Sequence, residues 1–317
     1  MLASGLRAGD YIYETNNNTI NLIAYTGKGG AVSIPATLDG LPVTSVGNGA
    51  FYHCTTLTGV TVPGSVTSIG DSAFVNCVNL TGVSLQGRVM NIGNGAFHLC
   101  TNLTRIVIPG SVTRLGDAAF FDCSNLTNIV VPKNVTRLGY AMFEGCHRLT
   151  EVSLPPGLTN IGDLAFYDCR SLAAVTIPAA VGALGANAFY SCSNLTQVYF
   201  LGNAPVLGTN VFGSNPKLKI YYPPGTSGWG ATFAGYPTVL WDPRVQTGDG
   251  QFGVRTNRFG FNITGSTNLV VVVKACTNLN LPAWAAISTN ALTNGISYFS
   301  DPQWQNYPGR FYCLRAL

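Results

Sequence analysis

The chain has 317 residues, of which 46% are hydrophobic and only 9% are charged. Disorder requires low hydrophobicity and high charge, so this composition excludes a disordered chain. The net charge is +4 and no basic run occurs, which argues against a nucleic-acid-binding surface. The longest aliphatic run, Leu269 to Val273, is far shorter than the ~18 apolar residues of a membrane helix, so no membrane span is expected.

The N-terminal segment predicts a cap rather than a targeting signal. Arg7 and Asp10 interrupt its apolar stretch before it reaches the length of a signal-peptide core. Either export is absent or the sequence begins after the signal, and the family resemblance below favours the second interpretation. Tyr11 to Tyr25 predicts two strands around a turn at Asn16 to Asn18. Residues 1–42 are therefore expected to form an N-terminal capping hairpin and a first irregular turn of chain.

A repeat of 23 residues then dominates the sequence. Three residue types each recur eight times at this step. Phe occurs at 51, 74, 97, 120, 143, 166, 189 and 212, Leu at 57, 80, 103, 126, 149, 172, 195 and 218, and Gly at 47, 70, 93, 116, 139, 162, 185 and 208. A fixed period of this length is typical of repeat architectures.

The first half of each repeat predicts two extended segments. In one unit, Val60 and Val62 alternate as in a half-buried strand, and Pro63 ends that strand because proline has no N–H for the ladder. Val66 and Ile69 direct a second apolar stretch inward. Each repeat therefore predicts a strand, a corner and a second strand.

The second half of each repeat predicts a bend and a short turn. Gly70 is expected to supply a positive φ at the bend. Ala73, Phe74 and Cys77 are one and four residues apart, which suits a single helical turn. No unit of this size can bury its apolar face alone, whereas stacking joins the Phe, Leu and Ile/Val columns into one core. We predict a mainly β solenoid over residues 43–243, including a C-terminal cap.

The unit Leu57-x-x-Val60-x-Val62-Pro63-x-x-Val66-x-x-Ile69-Gly70-x-x-Ala73-Phe74-x-x-Cys77 resembles a known bacterial family. It is similar to the leucine-rich repeat of BspA-like surface proteins, and the match covers about Val43 to Lys219. The resemblance implies a secreted or surface-attached protein. Several members of the family act as adhesins that bind host or matrix proteins.

After the repeats, the period breaks and three further segments are predicted. Residues 220–243 are expected to cap the last repeat with Tyr221, Trp229, Phe233 and Trp241. Residues 244–250 are polar and contain glycine, so they predict a linker. Residues 251–317 predict a small all-β sandwich from strand-like runs at 259–264, 269–275, 285–288, 297–300 and 310–314.

This last segment resembles a C-terminal β-module of secreted proteins from verrucomicrobia. The resemblance is carried by Val272 to Leu279, Trp284, Phe299-Ser-Asp-Pro302 and Arg310-Phe-Tyr312. It implies no assigned role for the module.

The nine cysteines could form disulfides or a metal site, but their spacing favours neither. Seven of them, at 54, 77, 100, 123, 146, 169 and 192, form a repeat column. Metal sites need Cys-x-x-Cys pairs or histidine partners, which are missing, and parallel stacked Cβ vectors make disulfides between repeats awkward. We expect free buried thiols that act as small hydrophobes. Whether Cys276 and Cys313 pair stays open.

Catalytic patterns are weak. His53, His98 and His147 fall at different offsets from the repeat Phe, and no nucleophile elbow, zinc-protease motif or phosphate-binding loop occurs. The nearest carboxylate pairs for a glycosidase are Glu144 with Asp168 and Asp122 with Glu144, and both are expected to be solvated. We therefore expect no enzyme, no cofactor and no metal.

The outward side of the first strand carries the candidate ligand-binding residues. The repeat leaves these positions free to vary, and arginine or aromatic anchors beside apolar area are typical of protein-binding surfaces. The candidates are Arg105, Val107, Asn128, Val130, Glu151, Gln197 and Tyr199. A merely soluble β-face stays an alternative, and the absence of an aromatic platform weakens a polysaccharide ligand against a protein ligand.

Two functions follow from this interpretation. The first is an extracellular binding or adhesion protein whose strand face takes a protein or glycan. The alternative is a structural surface-layer or filament component that self-associates, since a low charge density limits repulsion between copies.

Overall fold

The computed structural model describes residues 6–213, 215–267, 269–279 and 283–316. The chain divides into two compact units. The first extends to Tyr221 and includes Thr226–Thr238, and the second comprises Tyr222–Gly225 and the chain from Val239 onward.

Short strands are the main regular structure of both units. As far as Leu240 they are β1 (Leu6–Ala8), β2 (Tyr11–Asn16), β3 (Thr19–Tyr25), β4 (Gly30–Ser33), β5 (Thr37–Leu38), β6 (Leu41–Val46), β7 (Leu57–Val62), β8 (Ser68–Ile69), β9 (Gly82–Leu85), β10 (Asn91–Ile92), β11 (Arg105–Ile106), β12 (Arg114–Leu115), β13 (Asn128–Val130), β14 (Arg137–Leu138), β15 (Glu151–Ser153), β16 (Asn160–Ile161), β17 (Ala174–Ile177), β18 (Ala183–Leu184), β19 (Gln197–Phe200), β20 (Val206–Leu207), β21 (Lys219–Tyr222), β22 (Thr232–Phe233) and β23 (Tyr236–Leu240). They are followed by β24 (Arg244–Gln246), β25 (Gly253–Arg255), β26 (Arg258–Thr264), β27 (Val270–Cys276), β28 (Ala285–Ala291), β29 (Ile296–Asp301) and β30 (Phe311–Ala316).

The first unit is a solenoid in which each 23-residue turn, here called a rung, contributes two strands. The odd-numbered strands β7 to β21 form one side, which begins at β4, and the even-numbered strands β6 to β20 form the other. Parallel pairing follows the repeat, since Val60 lies opposite Val83 and Ile69 opposite Ile92. The predicted fold class, a mainly β solenoid of 23-residue rungs, is confirmed.

The N-terminal hairpin starts one of these sides. β2 and β3 pair antiparallel around Asn17 and Asn18, whose positive φ values of 47° and 59° match a two-residue hairpin turn. β3 then pairs in parallel with β6 and so continues the even-numbered side. The hairpin thus covers the first rung with a strand of its own.

Each rung has a third side, which connects its second strand to the first strand of the next rung. This segment differs from the predicted helical turn. Residues two positions after the repeat Gly and two after the repeat Phe have positive φ, as at Ser72 (55°) and Asn76 (59°). Alternate N–H groups then bond to the next rung, as from Phe51 to the carbonyl of Ala73 at 2.7 Å, while Cys54 N–H bonds within its own rung to Phe51. The predicted short turn is present, but it is not helical, because every second N–H group bonds to the next rung. The described residues contain two single 3-10 turns and no α-helix.

The repeat glycine has a different purpose from the one predicted. Gly70 is not among the residues with positive φ. A Cβ at this position would lie 2.7 Å from the backbone N of Asn48 and from the carbonyl carbon of Gly47. The glycine is therefore required because two rungs approach closely here, and the bend uses the left-handed residue two positions later.

Stacked rings run through the solenoid core. Neighbouring repeat phenylalanines lie 4.9 to 5.7 Å apart between ring centroids, from Phe51 to Phe212. Tyr25 of the hairpin stacks on Phe51 at 4.9 Å, and Tyr236 packs edge-on against Phe212 at 6.1 Å. A tyrosine at each end therefore completes the ladder.

The C-terminal cap partly follows the prediction. Trp229 and Phe233 cover Phe200 at 4.9 and 5.7 Å between ring centroids. Trp241 does not belong to this cap, because it packs against the core of the second unit.

The second unit consists of two antiparallel sheets that share one core. β26 pairs with β29 on one edge and with β24 and β25 on the other, and β27 lies between β28 and β30. Their buried side chains include Phe261, Ile263, Val271 and Phe299. The predicted linker 244–250 is corrected here, because residues 244–246 form β24, which pairs with β26.

Candidate functional site

Three neighbouring rungs bring most of the predicted ligand-binding residues together. Arg105, Asn128 and Glu151 begin β11, β13 and β15, and Asn128 lies directly opposite Glu151 in the parallel register. Alternation along these strands turns Ile106 and Ile129 into the core. The residues that alternate with these core residues along the strands point outward, and Arg105, Asn128 and Glu151 are exposed.

Two valines give this surface an apolar centre. Val107 is 69% exposed and Val130 is 65% exposed, and among the large hydrophobic residues that the structure describes only Val206, at 74%, is more exposed. The two valines occupy the same repeat position on consecutive rungs, beside Arg105 and Asn128. We call Arg105, Val107, Asn128, Val130 and Glu151 the strand-face patch.

Gln197 and Tyr199 lie apart from the strand-face patch. The rung with Ala174 and Thr176 separates them from Glu151, because Ala174 is the register partner of Gln197. Both are half-buried, and the Tyr199 hydroxyl donates to Oε1 of Gln197 at 2.9 Å. Tyr199 also stacks on Tyr221 with centroids 4.8 Å apart. The seven predicted residues thus form two groups.

A ladder of threonines borders the strand-face patch. The hydroxyls of Thr104, Thr127 and Thr150 donate to the carbonyl oxygen of the threonine one rung earlier, at 3.4, 3.3 and 3.1 Å. A hydroxyl has one proton to donate. These residues therefore stabilise the stacking and have no second proton for a sugar hydroxyl.

The carboxylates considered for catalysis do approach one another, on the third side of the rungs. Burial raises the pKa of Glu144, and the charges of Asp122 and Asp168 raise it further. Burial alone would raise the pKa of Asp168 as well, but hydrogen bonds from Arg170 and His147 hold it below its usual value. Arg170 contacts both carboxylate oxygens of Asp168 at 2.8 Å.

This arrangement differs from the solvated pairs that the sequence predicts, because Glu144 is half-buried. Asp168 is already engaged by Arg170 of its own rung and by His147 of the preceding rung, so these contacts hold its carboxylate rather than present it to a substrate. Within the described ranges, no group of three or more His, Cys, Asp or Glu residues could hold a metal ion.

All nine cysteines are free thiols. Cys54 and Cys313 are partly exposed and the other seven are buried. In the second unit Cys313 lies opposite Lys274 and Cys276 opposite Phe311, so the two cysteines are not register partners.

Sequence reasoning missed the partly exposed aromatic residues on the third side of the rungs. Tyr167 and Tyr190 stack with centroids 5.7 Å apart and planes 6° apart, and His98 packs edge-on against Phe121 at 4.6 Å. All four follow directly after a repeat Phe. That shared offset was the available signal.

The described part of the chain contains no helix long and apolar enough to cross a membrane. None of the curated proteins compared with the chain matches it.

Two solved structures resemble the chain. A leucine-rich repeat protein of T. pallidum is 34% identical over 68% of this chain and 91% of its own, with a TM-score of 0.51. A leucine-rich cell surface protein of Faecalibacterium prausnitzii A2-165 is 27% identical over 69% of this chain and 76% of its own, with a TM-score of 0.52.

A family model agrees with both structures. The model of the BspA-type leucine-rich repeat region matches residues 31–149 and 114–228, with six copies. The matched region includes the rungs and the strand-face patch. The chain therefore belongs to the BspA-type leucine-rich repeat family.

Proposed function

We propose that this chain is a non-enzymatic binding protein, secreted or displayed on a bacterial surface, whose strand-face patch takes a protein ligand. Family membership and the cell surface location of the F. prausnitzii relative support the location. Gln197 and Tyr199 form a second, polar part of the proposed surface, apart from the strand-face patch. The ligand would bind by shape and polar contacts on a surface that is already formed.

One observation carries this proposal, namely the exposure of Val107 and Val130 on adjacent rungs. Apolar side chains at such positions gain nothing for the solenoid core, which Ile106 and Ile129 already fill. Covering them removes apolar area from water, at roughly 25 cal/mol per Å². Arg105, Asn128 and Glu151 surround the valines with groups that can form directional bonds, as in interfaces with an apolar centre and a polar rim.

A protein ligand fits this surface better than a polysaccharide. Sugars bind to flat aromatic rings, and the strand-face patch contains none. The neighbouring threonine hydroxyls already donate within the solenoid. The absence of catalysis is supported by the engagement of Asp168 with Arg170 and His147.

The test is an array of extracellular-matrix proteins and polysaccharides probed with the full chain. The matched variants are V107T/V130T, which keeps the β-branched shape and removes apolar area, and V206T, which makes the same change at a more exposed valine on the other side of the rungs. We expect capture of a protein, a loss of affinity of about tenfold in V107T/V130T, and no change in V206T.

Three results would contradict the proposal. They are uniform silence of the array, equal loss in both variants, or large polymers in light scattering without any ligand. The last result would favour the structural, self-assembling alternative.

A further inference from the structure

The second unit has a sheet surface that the proposed function does not use. It is the outer face of the sheet formed by β24, β25, β26 and β29, here called the β26 face. Phe261 and Ile263 of β26 point into the core, so the alternate residues point outward. The outward residues used below are Arg244, Gln246, Arg255, Arg258, Asn262 and Tyr298.

Tyr298 forms a flat platform on this face. A Cβ at Gly260 would overlap the Tyr298 hydroxyl and lie 2.8 Å from its ring carbon Cζ, so the ring rests on the glycine. Gly260 is accordingly buried although it belongs to the outer face, whereas Tyr298 remains 45% exposed. The hydroxyl end of the ring therefore lies over the Gly260 backbone, and much of the side chain is open to solvent.

Two side-chain amides lie in the same row as Tyr298 on the neighbouring strands of the sheet. Asn262 is the register partner of Tyr298, and Gln246 is the register partner of Asn262. Asn262 Nδ2 donates to Oδ2 of Asp249 at 2.8 Å, and Oδ1 of Asp249 accepts the N–H of Gln251 at 2.9 Å. These contacts hold the Asn262 amide in place beside the ring.

The charge of the protein is concentrated in this part of the chain. From Val239 onward the second unit carries six of the 17 lysines and arginines and three of the 13 acids, a net charge of +3 out of the +4 of the whole chain. Asp301 is buried and paired with Arg310, and Oδ1 of Asp242 accepts the N–H of Ser266. Asp249 is exposed, and hydrogen bonds from Gln251 and Asn262 together with the charge of Arg255 hold its pKa below its usual value. The unit therefore has a net positive charge, and Asp249 offsets part of the charge of Arg255.

Three exposed arginines flank the platform. Arg255 and Arg258 are direct register partners, and Arg244 lies opposite Thr264 toward the other end of the sheet. Like charges directly opposite each other destabilise an antiparallel pair. Binding of an anion would remove this unfavourable interaction.

We propose that the β26 face binds an acidic polysaccharide whose sugars carry carboxylates. An apolar sugar face would stack on Tyr298, and Asn262 and Gln246 would bond to hydroxyls. The guanidinium groups of Arg255, Arg258 and Arg244 would pair with carboxylates, which their planar donors match in geometry. This site is separate from the strand-face patch and does not depend on it.

The experiment is calorimetric titration of the full chain with polygalacturonate, and with a neutral galactan and dextran sulfate as comparisons. We expect binding to polygalacturonate, none to the galactan, and weaker binding to dextran sulfate. R255Q/R258Q should weaken binding about tenfold, because two charge-assisted bonds are lost. The matched control R114Q/R137Q removes the same charge from exposed positions in the solenoid and should change the affinity less than about twofold.

The aromatic contribution has its own pair of variants. Y298A should weaken binding about fivefold, whereas Y298F keeps the ring and should bind like the unchanged chain. Thermal unfolding of Y298A shows whether the sheet is intact. If it is not, the separate variants Y298F and R255Q/R258Q still test the proposal. The proposal is overturned by silence toward polygalacturonate, by tighter binding to dextran sulfate or single-stranded DNA, or by equal loss in the two arginine pairs.

Discussion

The thiol of Cys77 lies 3.1 Å from the carbonyl oxygen of Phe51 on the preceding rung and donates to it. The same contact recurs at 3.0 to 3.3 Å for Cys100, Cys123, Cys146, Cys169 and Cys192. In the last rung Asn215 replaces the cysteine, and its Nδ2 donates within its own rung, to the carbonyl oxygen of Phe212 at 2.7 Å. The cysteine column is thus a ladder of weak donors as well as of small apolar groups.

Replacing Cys123 separates these two contributions. If the thiol acts only by filling space, C123A should be better tolerated than C123S, because alanine buries no hydroxyl. Because the thiol is a second donor to the carbonyl of Phe97, beside the N–H of Cys100, we expect the opposite order, with C123A costing about 2 kcal/mol and C123S less. The free energy of unfolding from urea titration measures the difference, and a more stable C123A would contradict the donor role.

Thiol reactivity should follow burial along the chain. Burial raises the pKa of Cys77 to about 12, and that of Cys192 to about 12 as well. The thiolate is the reactive form, so these thiols should be inert to iodoacetamide in the folded protein. Cys54 and Cys313 are partly exposed, although burial raises their pKa as well, so they should be labelled slowly but before the other seven. Mass spectrometry after native labelling counts the modified sites, and rapid labelling of the buried column would contradict the packing.

Substitution at glycine should depend on how closely the rungs approach. G70A places a methyl group within 2.7 Å of backbone atoms of the preceding rung and should destabilise the solenoid by about 3 kcal/mol. Gly110 is the matched control, because a Cβ there meets no atom within 4 Å and its φ is not positive. G110A should be neutral or slightly stabilising. Thermal unfolding of both variants checks this, and equal stability would show that the rungs can move apart.

The second unit should lose stability in alkaline solution through Tyr312. Burial raises the pKa of Tyr312, and its hydrogen bond to Oδ2 of Asp301 at 2.9 Å raises it further. Because the folded pKa lies above the unfolded value of about 10, the contribution is complete below pH 10 and is lost as the pH rises toward the folded value. Y312F cannot ionise and should lack this decline. Unfolding monitored between pH 8 and 11 measures it, and identical pH profiles would contradict the prediction.

The same carboxylate should also control folding of this unit. Asp301 is 5% exposed at its side chain and pairs with Nε of Arg310 at 3.2 Å, and the Arg310 side chain is 11% exposed. D301N removes the charge and leaves a buried guanidinium without its partner, which costs about 3 to 5 kcal/mol. The paired change D301N/R310M removes both charges and should recover part of that loss. Circular dichroism during thermal unfolding compares the three proteins, and a neutral D301N would contradict the role of the pair.

The regular spacing of the repeats made most of the solenoid predictable. Phe74 and Leu80 recur at a constant step, so their burial in one core follows from stacking alone. The N-terminal hairpin was predictable as well, because the Asn-rich turn between Tyr11 and Tyr25 determines its register. The strand-face patch could be predicted as a set of outward positions, since alternation alone places Arg105 and Val107 on one face.

The hydrogen bonds between rungs were not predictable from local spacing. The one-and-four spacing of Ala73, Phe74 and Cys77 suits a helical turn, yet the N–H of Phe74 bonds to the carbonyl of Ala96 in the next rung. The stacking of Tyr199 on Tyr221 depends on a contact with another rung. Trp241 was assigned to the wrong unit because one aromatic side chain can cover either of two cores.

The amino-acid sequence by itself determined the period, the inward and outward sides of the strands and the family, because each rung must place its apolar residues where the next rung does. Only the tertiary structure decided why the repeat glycine is required, what the cysteine thiols bond to and which charges are paired. These features depend on distances of a few ångströms between residues of different rungs or strands, and only the folded chain sets such distances.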